Sequence, residues 1–169
     1  MKPIETDRLI ICELNISDAP FILKLLNTPS WIKYIGDRNI KTIQDAENYL
    51  TSGPIESYNK NGFGLFKIEL KDNNHAIGMC GLIKRDVLDD IDLGFALLPE
   101  YEAKGYAYEA SMGVLKMAKS DLNLNTILAI TLPENTSSIN LLKKIGLQFE
   151  RLIKLKEDSE DLMLFSMSL

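Results

Sequence analysis

The stretch that decides the fold runs from Ile91 to Thr131, IDLGFALLPEYEAKGYAYEASMGVLKMAKSDLNLNTILAIT, because its hydrophobic period changes twice. "IDLGFALL" (Ile91–Leu98) has the apolar content of a strand. From Tyr106 onward, Ala107, Ala110, Val114, Met117 and Ala118 fall three or four residues apart, one face of a helix that ends near Leu122. "TILAIT" (Thr126–Thr131) returns to a short β-branched strand. Strand, helix and strand in succession predict a parallel pair joined by a right-handed crossover. The change from strand to helix falls at Gly105. Glycine permits positive φ and close backbone approach, so "EAKGYA" (Glu102–Ala107) is able to turn several main-chain N–H groups toward one point. With the positive end of a helix dipole behind it, such a turn suits a phosphate or pyrophosphate, although the same glycine also marks a plain turn.

Working outward, "RLIICEL" (Arg8–Leu14) is an apolar first strand, and Ser17 or Asp18 caps a helix carrying Phe21, Ile22, Leu25 and Leu26. "NTPSWIKYIGDR" (Asn27–Arg38) reads as a loop with Trp31 and Tyr34, ahead of a polar helix around Ile43 to Tyr58. "FGLFKIEL", "IGMCGLIK" and "IDLGFALL", separated by the turns "KDNNHA" and "RDVLDD", predict an antiparallel meander. After "TILAIT", Asn135 or Thr136 caps a helix that runs through Ile145 and stops at Gly146. Two strands, about "FERLIKLK" and "DLMLFSMSL", follow. The expected fold class is mixed α/β (α+β), one domain over residues 1–169 with no repeat or linker.

Composition narrows the function. The chain is 46% hydrophobic and 25% charged, as a folded domain is, and its net charge of −5 provides no field for nucleic acid. Lys84, Arg85, Lys143 and Lys144 are candidates for a local anion site. No stretch approaches about 18 apolar residues or a signal peptide, so no membrane role is expected and the protein reads as cytoplasmic. Cys12 and Cys80 lie in apolar runs without metal or redox spacing, which predicts buried thiols. The single histidine, His75, sits in a polar turn and predicts neither a metal site nor a triad. G-x-x-x-x-G-K-[ST] is missing, and no strand leads into G-x-G-x-x-G, which disfavours a nucleotide kinase or dehydrogenase.

Taken in order, "TDRLII", "GMCGLIKR", "IDLGFALLPEYEAKGYAYEA" and "PENTSSINLLKKIGLQFE" resemble the GNAT N-acetyltransferase superfamily, in its branch similar to bacterial ribosomal-protein N-terminal acetyltransferases. The resemblance covers almost the whole chain. It implies a mostly antiparallel, seven-stranded sheet with about four helices, whose fourth and fifth strands, here "IDLGFALL" and "TILAIT", splay apart around the pantetheine arm of acetyl-CoA. The family's [QR]-x-x-G-x-[GA] loop falls on Glu102, Ala103, Lys104, Gly105, Tyr106 and Ala107, with Glu102 departing from Gln or Arg.

By the same resemblance Phe95, Ala96 and Leu97 supply amides to the arm, and Lys104, Gly105, Tyr106 and Ala107 hold the diphosphate. Asp92 is the candidate base for the amine, with Asp89 and Asp90 behind it; it is also readable as a strand-edge charge. Asn135 is a pantetheine contact or a helix cap. The family's proton-donating Tyr position is Leu142 here, so Ser138 becomes the candidate acid, with Ser137 next to it. Trp31, Tyr34 and Tyr58 border the acceptor pocket or belong to the core. The implied function is acetyl-CoA-dependent N-acetylation of a primary amine, on a peptide N-terminus or a small molecule, without a metal, as a monomer or homodimer. The competing reading is an acyl-CoA sensor that lost the chemistry.

Overall fold

A computed structural model describes residues 2–169. Eight strands form one sheet: β1 (Ile4–Glu5), β2 (Leu9–Glu13), β3 (Leu65–Leu70), β4 (Ala76–Ile83), β5 (Asp92–Leu97), β6 (Thr126–Thr131), β7 (Gln148–Ile153) and β8 (Leu162–Ser168). Their spatial order is β1-β2-β3-β4-β5-β6-β8-β7. Every neighbouring pair is antiparallel except β5 with β6, which are parallel. The seven expected strands are present, and the two-residue β1 adds an eighth at the edge.

Helices cover both faces. On one side lie α1 (Ala19–Leu26), α2 (Pro29–Tyr34) and α3 (Ile43–Leu50); on the other lie α5 (Tyr106–Ser120) and α6 (Thr136–Lys144), and α4 (Glu56–Asn61) sends Tyr58 onto Phe66 of the α5-side core. Of the predicted stripe of α5, Ala107 is half-buried and Ala110, Val114, Met117 and Ala118 are buried in one core with Ile11, Phe66, Ile68, Leu93 and Leu97. Each buried side chain of Val or Met size contributes roughly 1.5–3 kcal/mol, so this face rather than helix propensity holds α5 in place. Ile22, Leu25, Ala46 and Leu50 form the opposite core with Leu14, Met79 and Leu98.

Two segments differ from the expectation. "NTPSWIKYIGDR" is not wholly loop, because the Thr28 side chain accepts from the Trp31 N–H and Pro29 occupies the first helical turn, which together start α2. The polar helix is interrupted by a π-turn over Thr51–Ile55 that contains Pro54. Proline has no N–H for the regular ladder, and the wider turn accommodates the gap between α3 and α4.

Both cysteines are free thiols; Cys80 is buried, whereas Cys12, on the second residue from the end of β2, is only half-buried. Burial pushes the Cys80 thiol up to about 12, which leaves it inert as a nucleophile. His75 is exposed, as its turn predicts.

Candidate active site

The parallel pair is joined at one place. Asp92 lies opposite Leu128 in the only registered pair between β5 and β6, and the Leu128 N–H donates to the Ile91 carbonyl at 2.9 Å. Beyond that point the strands diverge, while β5 stays paired with β4 along its whole length. The Leu98 N–H donates to Ile77 on the β4 side, so strand alternation turns the peptide groups of Leu93, Phe95 and Leu97 toward the gap and those of Gly94 and Ala96 toward β4. The amides of Phe95 and Leu97 thus face the gap. The amide of Ala96 serves β4, although the residue lines the cleft.

At the carboxyl ends of the diverging strands the turn Glu102–Ala107 enters α5. Ala103 has φ 57° and Gly105 has φ 83°, ψ 0°. A left-handed conformation is natural for glycine and costs alanine about 1 kcal/mol, a strain of the kind held at functional sites. Among the described residues no hydrogen bond engages the amides from Ala103 to Tyr108. These donors are unsatisfied inside the chain and stand at the positive end of a helix 15 residues long.

An ion-pair latch braces this turn. The backbone N–H of Arg8 donates to Glu109 Oε1 at 2.7 Å, its Nε to Oε2 at 2.7 Å, and its Nη1 to the Lys104 carbonyl at 3.1 Å. Thr6 Oγ1 donates to the same Glu109 carboxylate at 2.6 Å, and the Arg8 guanidinium lies 4.4 Å from the centre of the Tyr106 ring. These hydrogen bonds hold the Glu109 carboxyl below the usual range against the opposing effect of burial. The Lys104 side chain points elsewhere, its ammonium 5.6 Å from the centre of the Tyr101 ring.

Turn and fork open into one cleft of about 750 Å³, a volume in the range of small-molecule sites. Of the residues singled out from sequence, Asp92, Phe95, Ala96, Leu97, Gly105, Tyr106, Ala107, Asn135, Ser138, Trp31 and Tyr34 line it, with Ser137 and Glu102. Asp89 and Asp90 are exposed in the preceding turn and do not. Tyr58 is also elsewhere: its hydroxyl donates to the Leu65 carbonyl and accepts from the Leu14 N–H, and its ring stacks on Phe66 5.5 Å away. It is a core residue, because a phenol satisfied by the peptide groups of Leu14 and Leu65 has no polar end left for a ligand.

Asp92 is the chemically unusual group. Its residue is 1% exposed, and burial raises the carboxyl to about 6 even though Arg85 Nε, 3.0 Å from Oδ1, pulls the other way. Across the cleft the Asn135 side chain accepts from the Ser138 N–H at 3.1 Å and caps α6, which fixes the serine at the cleft wall. Leu142, at the position where the family has tyrosine, is buried in the core and offers no proton. Nothing in the sequence singles out Arg8, Glu109, Arg38 or Tyr49, and Arg85, there a candidate for a local anion site, is the partner of Asp92.

Residues 8–148 match the acetyltransferase (GNAT) domain family. The chain belongs to that GNAT family. Its relatives include the uncharacterized N-acetyltransferase YnaD of Bacillus subtilis, 29% identical over 151 residues that span 89% of this chain and 85% of that one. The uncharacterized N-acetyltransferase p20 of Bacillus licheniformis is 28% identical over 173 residues, 99% of this chain and 96% of its own. The GNAT fold is shared with a coenzyme A complex of the RimL ribosomal L7/L12 alpha-N-protein acetyltransferase, with a TM-score of 0.86, 12% identity, and 99% and 98% of the two chains covered. This GNAT domain is an acetyltransferase, and GNAT acetyltransferases use acetyl-CoA. Among its described residues no helix is long and apolar enough to cross a membrane.

Proposed function

We propose that this GNAT domain is an acetyl-CoA-dependent N-acetyltransferase acting on a primary amine, of a peptide N-terminus or a small molecule, in a complex that holds both substrates at once. The observation that carries the reading is the single-bridge fork of β5 and β6 beneath a turn of unsatisfied amides. An anionic diphosphate fits those amides, from Ala103 to Ala107, and a linear arm fits the gap faced by Phe95 and Leu97.

Acetyl-CoA supplies the acetyl group as a thioester: a nitrogen–carbon bond forms, the carbon–sulfur bond breaks, the amine loses a proton and the sulfur gains one. Asp92 accepts the amine's proton, directly or through a water, and its raised pKa places it closer to neutrality than an ordinary carboxylate. Arg85 orients that carboxylate. Ser138 gives a proton to the sulfur and regains one from solvent. Asn135 positions Ser138 through the α6 cap, and the peptide groups of Phe95 and Leu97 orient the arm.

The test is thiol release from acetyl-CoA in the presence of pooled amines and N-terminal peptides. Acceptor-dependent release supports the reading. Tight coenzyme binding with no acceptor-dependent release across a broad panel would instead favour the sensor reading.

A further inference from the structure

We propose that the acceptor amine carries an anionic group, a carboxylate or phosphate, gripped by a basic annex beside the transfer cleft. This rests on the N-acetyltransferase reading above. The annex is a second cavity of about 360 Å³ between the α3–α4 run and the turn joining β4 to β5. Arg38, Tyr49 and Arg85 line both spaces, so the annex adjoins the part of the cleft that holds Asp92.

Its charge is opposite to that of the chain. Arg38, Lys60, Lys84 and Arg85 line it, against one acid, Glu56, in a protein of net charge −5. Arg85 is paired with Asp92, but Arg38, Lys60 and Lys84 make no ion pair among the described residues. Cations converging on a concave surface without counter-charges raise the local concentration of anions, and an arginine fork matches the two oxygens of a carboxylate or phosphate.

The coenzyme does not account for this charge. The turn proposed for its diphosphate, Ala103 to Ala107, borders the main cleft and not the annex. With an amine at Asp92, the remainder of the acceptor passes Tyr49 and Arg38 into the annex. An acceptor whose second group is cationic meets three positive side chains there that have no ion-pair partner among the described residues, and is repelled.

The experiment compares matched acceptors in the thiol-release assay with the full chain: an α-amino acid, its carboxamide, and a lysine-containing dipeptide, beside N-terminal peptides with Glu or Gln at the second position. A hydrogen-bonded charge pair supports a preference of roughly tenfold or more in kcat/KM for the carboxylate member, carried mainly by KM because the contact is remote from the reacting nitrogen. The preference should shrink as salt rises. Arg38→Gln with Lys84→Gln should abolish it while leaving acetyl-CoA affinity, measured by calorimetry, unchanged. Selectivity confined to amino acids, or extending to acidic peptides, identifies the source of the anion. Equal kcat/KM for carboxylate and carboxamide, or a preference that survives the double variant, overturns the inference. Loss of acetyl-CoA binding in the wild type would instead overturn the reading on which it rests.

Discussion

The Arg8 guanidinium donates to the Glu109 carboxylate at 2.7 Å, across 101 positions of sequence, and the same side chain reaches the Lys104 carbonyl. This ties the N-terminal edge to the turn that opens α5. Gly113, one turn further along, allows the approach, since a Cβ there would meet Ile4 and Thr6 at 3.2 and 3.1 Å. A partly exposed pair is worth up to about 1 kcal/mol, so Arg8→Ala is expected to raise KM for acetyl-CoA about fivefold with little change in kcat. Arg8→Lys should restore only part of it, because a single ammonium cannot bond Glu109 and Lys104 in the same fork. A fall in kcat with KM unchanged would remove Arg8 from this positioning role.

Asp92 links activity to stability with opposite signs. Its folded pKa, about 6, lies above the usual 3.8, so the folded state holds the proton more tightly. The stabilisation from that proton is full below about pH 4 and is lost as pH rises through about 6. Two units correspond to on the order of 3 kcal/mol, so Asp92→Asn should gain on the wild type by that much between pH 4 and pH 8. Denaturant unfolding at both pH values measures the gain, and comparing each protein with itself cancels the fixed cost of leaving Arg85 unpaired. Wild-type turnover should climb through about pH 6, and the asparagine variant should be slow without that limb. A pH-independent stability difference would show that Asp92 is not the buried acid described here.

Ser138→Ala keeps the Asn135 cap, which uses the backbone N–H, and removes only the hydroxyl. Turnover is expected to fall by roughly 10²-fold, the size typical of a lost proton donor, with acetyl-CoA affinity nearly unchanged. Ser137→Ala, on a more exposed neighbour, should change little. If both variants turn over like wild type, the proton reaches sulfur by another route.

Glu102 borders the cleft as an exposed carboxylate beside the amides that face it. Glu102→Gln should tighten acetyl-CoA binding about two- to fivefold, the effect fading at high salt as expected of a solvated charge. Calorimetry at two ionic strengths reads it. Weaker binding in the glutamine variant would mean that the carboxylate assists the ligand rather than opposing it.

Periodicity made most of the sheet and α5 legible: Ala110, Val114, Met117 and Ala118 are buried where a 3.6-residue repeat puts them, and "TILAIT" matches β6 residue for residue. Local chemistry also exposed the turn, because a glycine at φ 83° is a requirement that sequence displays. What was hidden depends on distant pairing. Nothing near Arg8 names Glu109, and nothing near Arg85 marks it as the counter-charge of a buried Asp92 seven residues on. The choice for Tyr58 between core and acceptor pocket turns on the same thing, since an aromatic in a polar helix gives no sign that the peptide groups of Leu14 and Leu65 will satisfy its hydroxyl. The helix α2 is only six residues long, too short for a period to declare itself.

Calorimetric titration of acetyl-CoA into the wild-type chain and into Gly105→Ala tests the gripping turn most directly. A Cβ at φ 83° carries a left-handed penalty of about 1–2 kcal/mol, and it meets Arg8 Nη2 at 3.4 Å, so the turn should relax away from its amide-forward shape. Saturable one-to-one binding by the wild type, weakened about tenfold or more in the variant, is the expected result. Absence of binding by the wild type, or equal affinity in the two proteins, would contradict coenzyme capture by the main chain around Gly105.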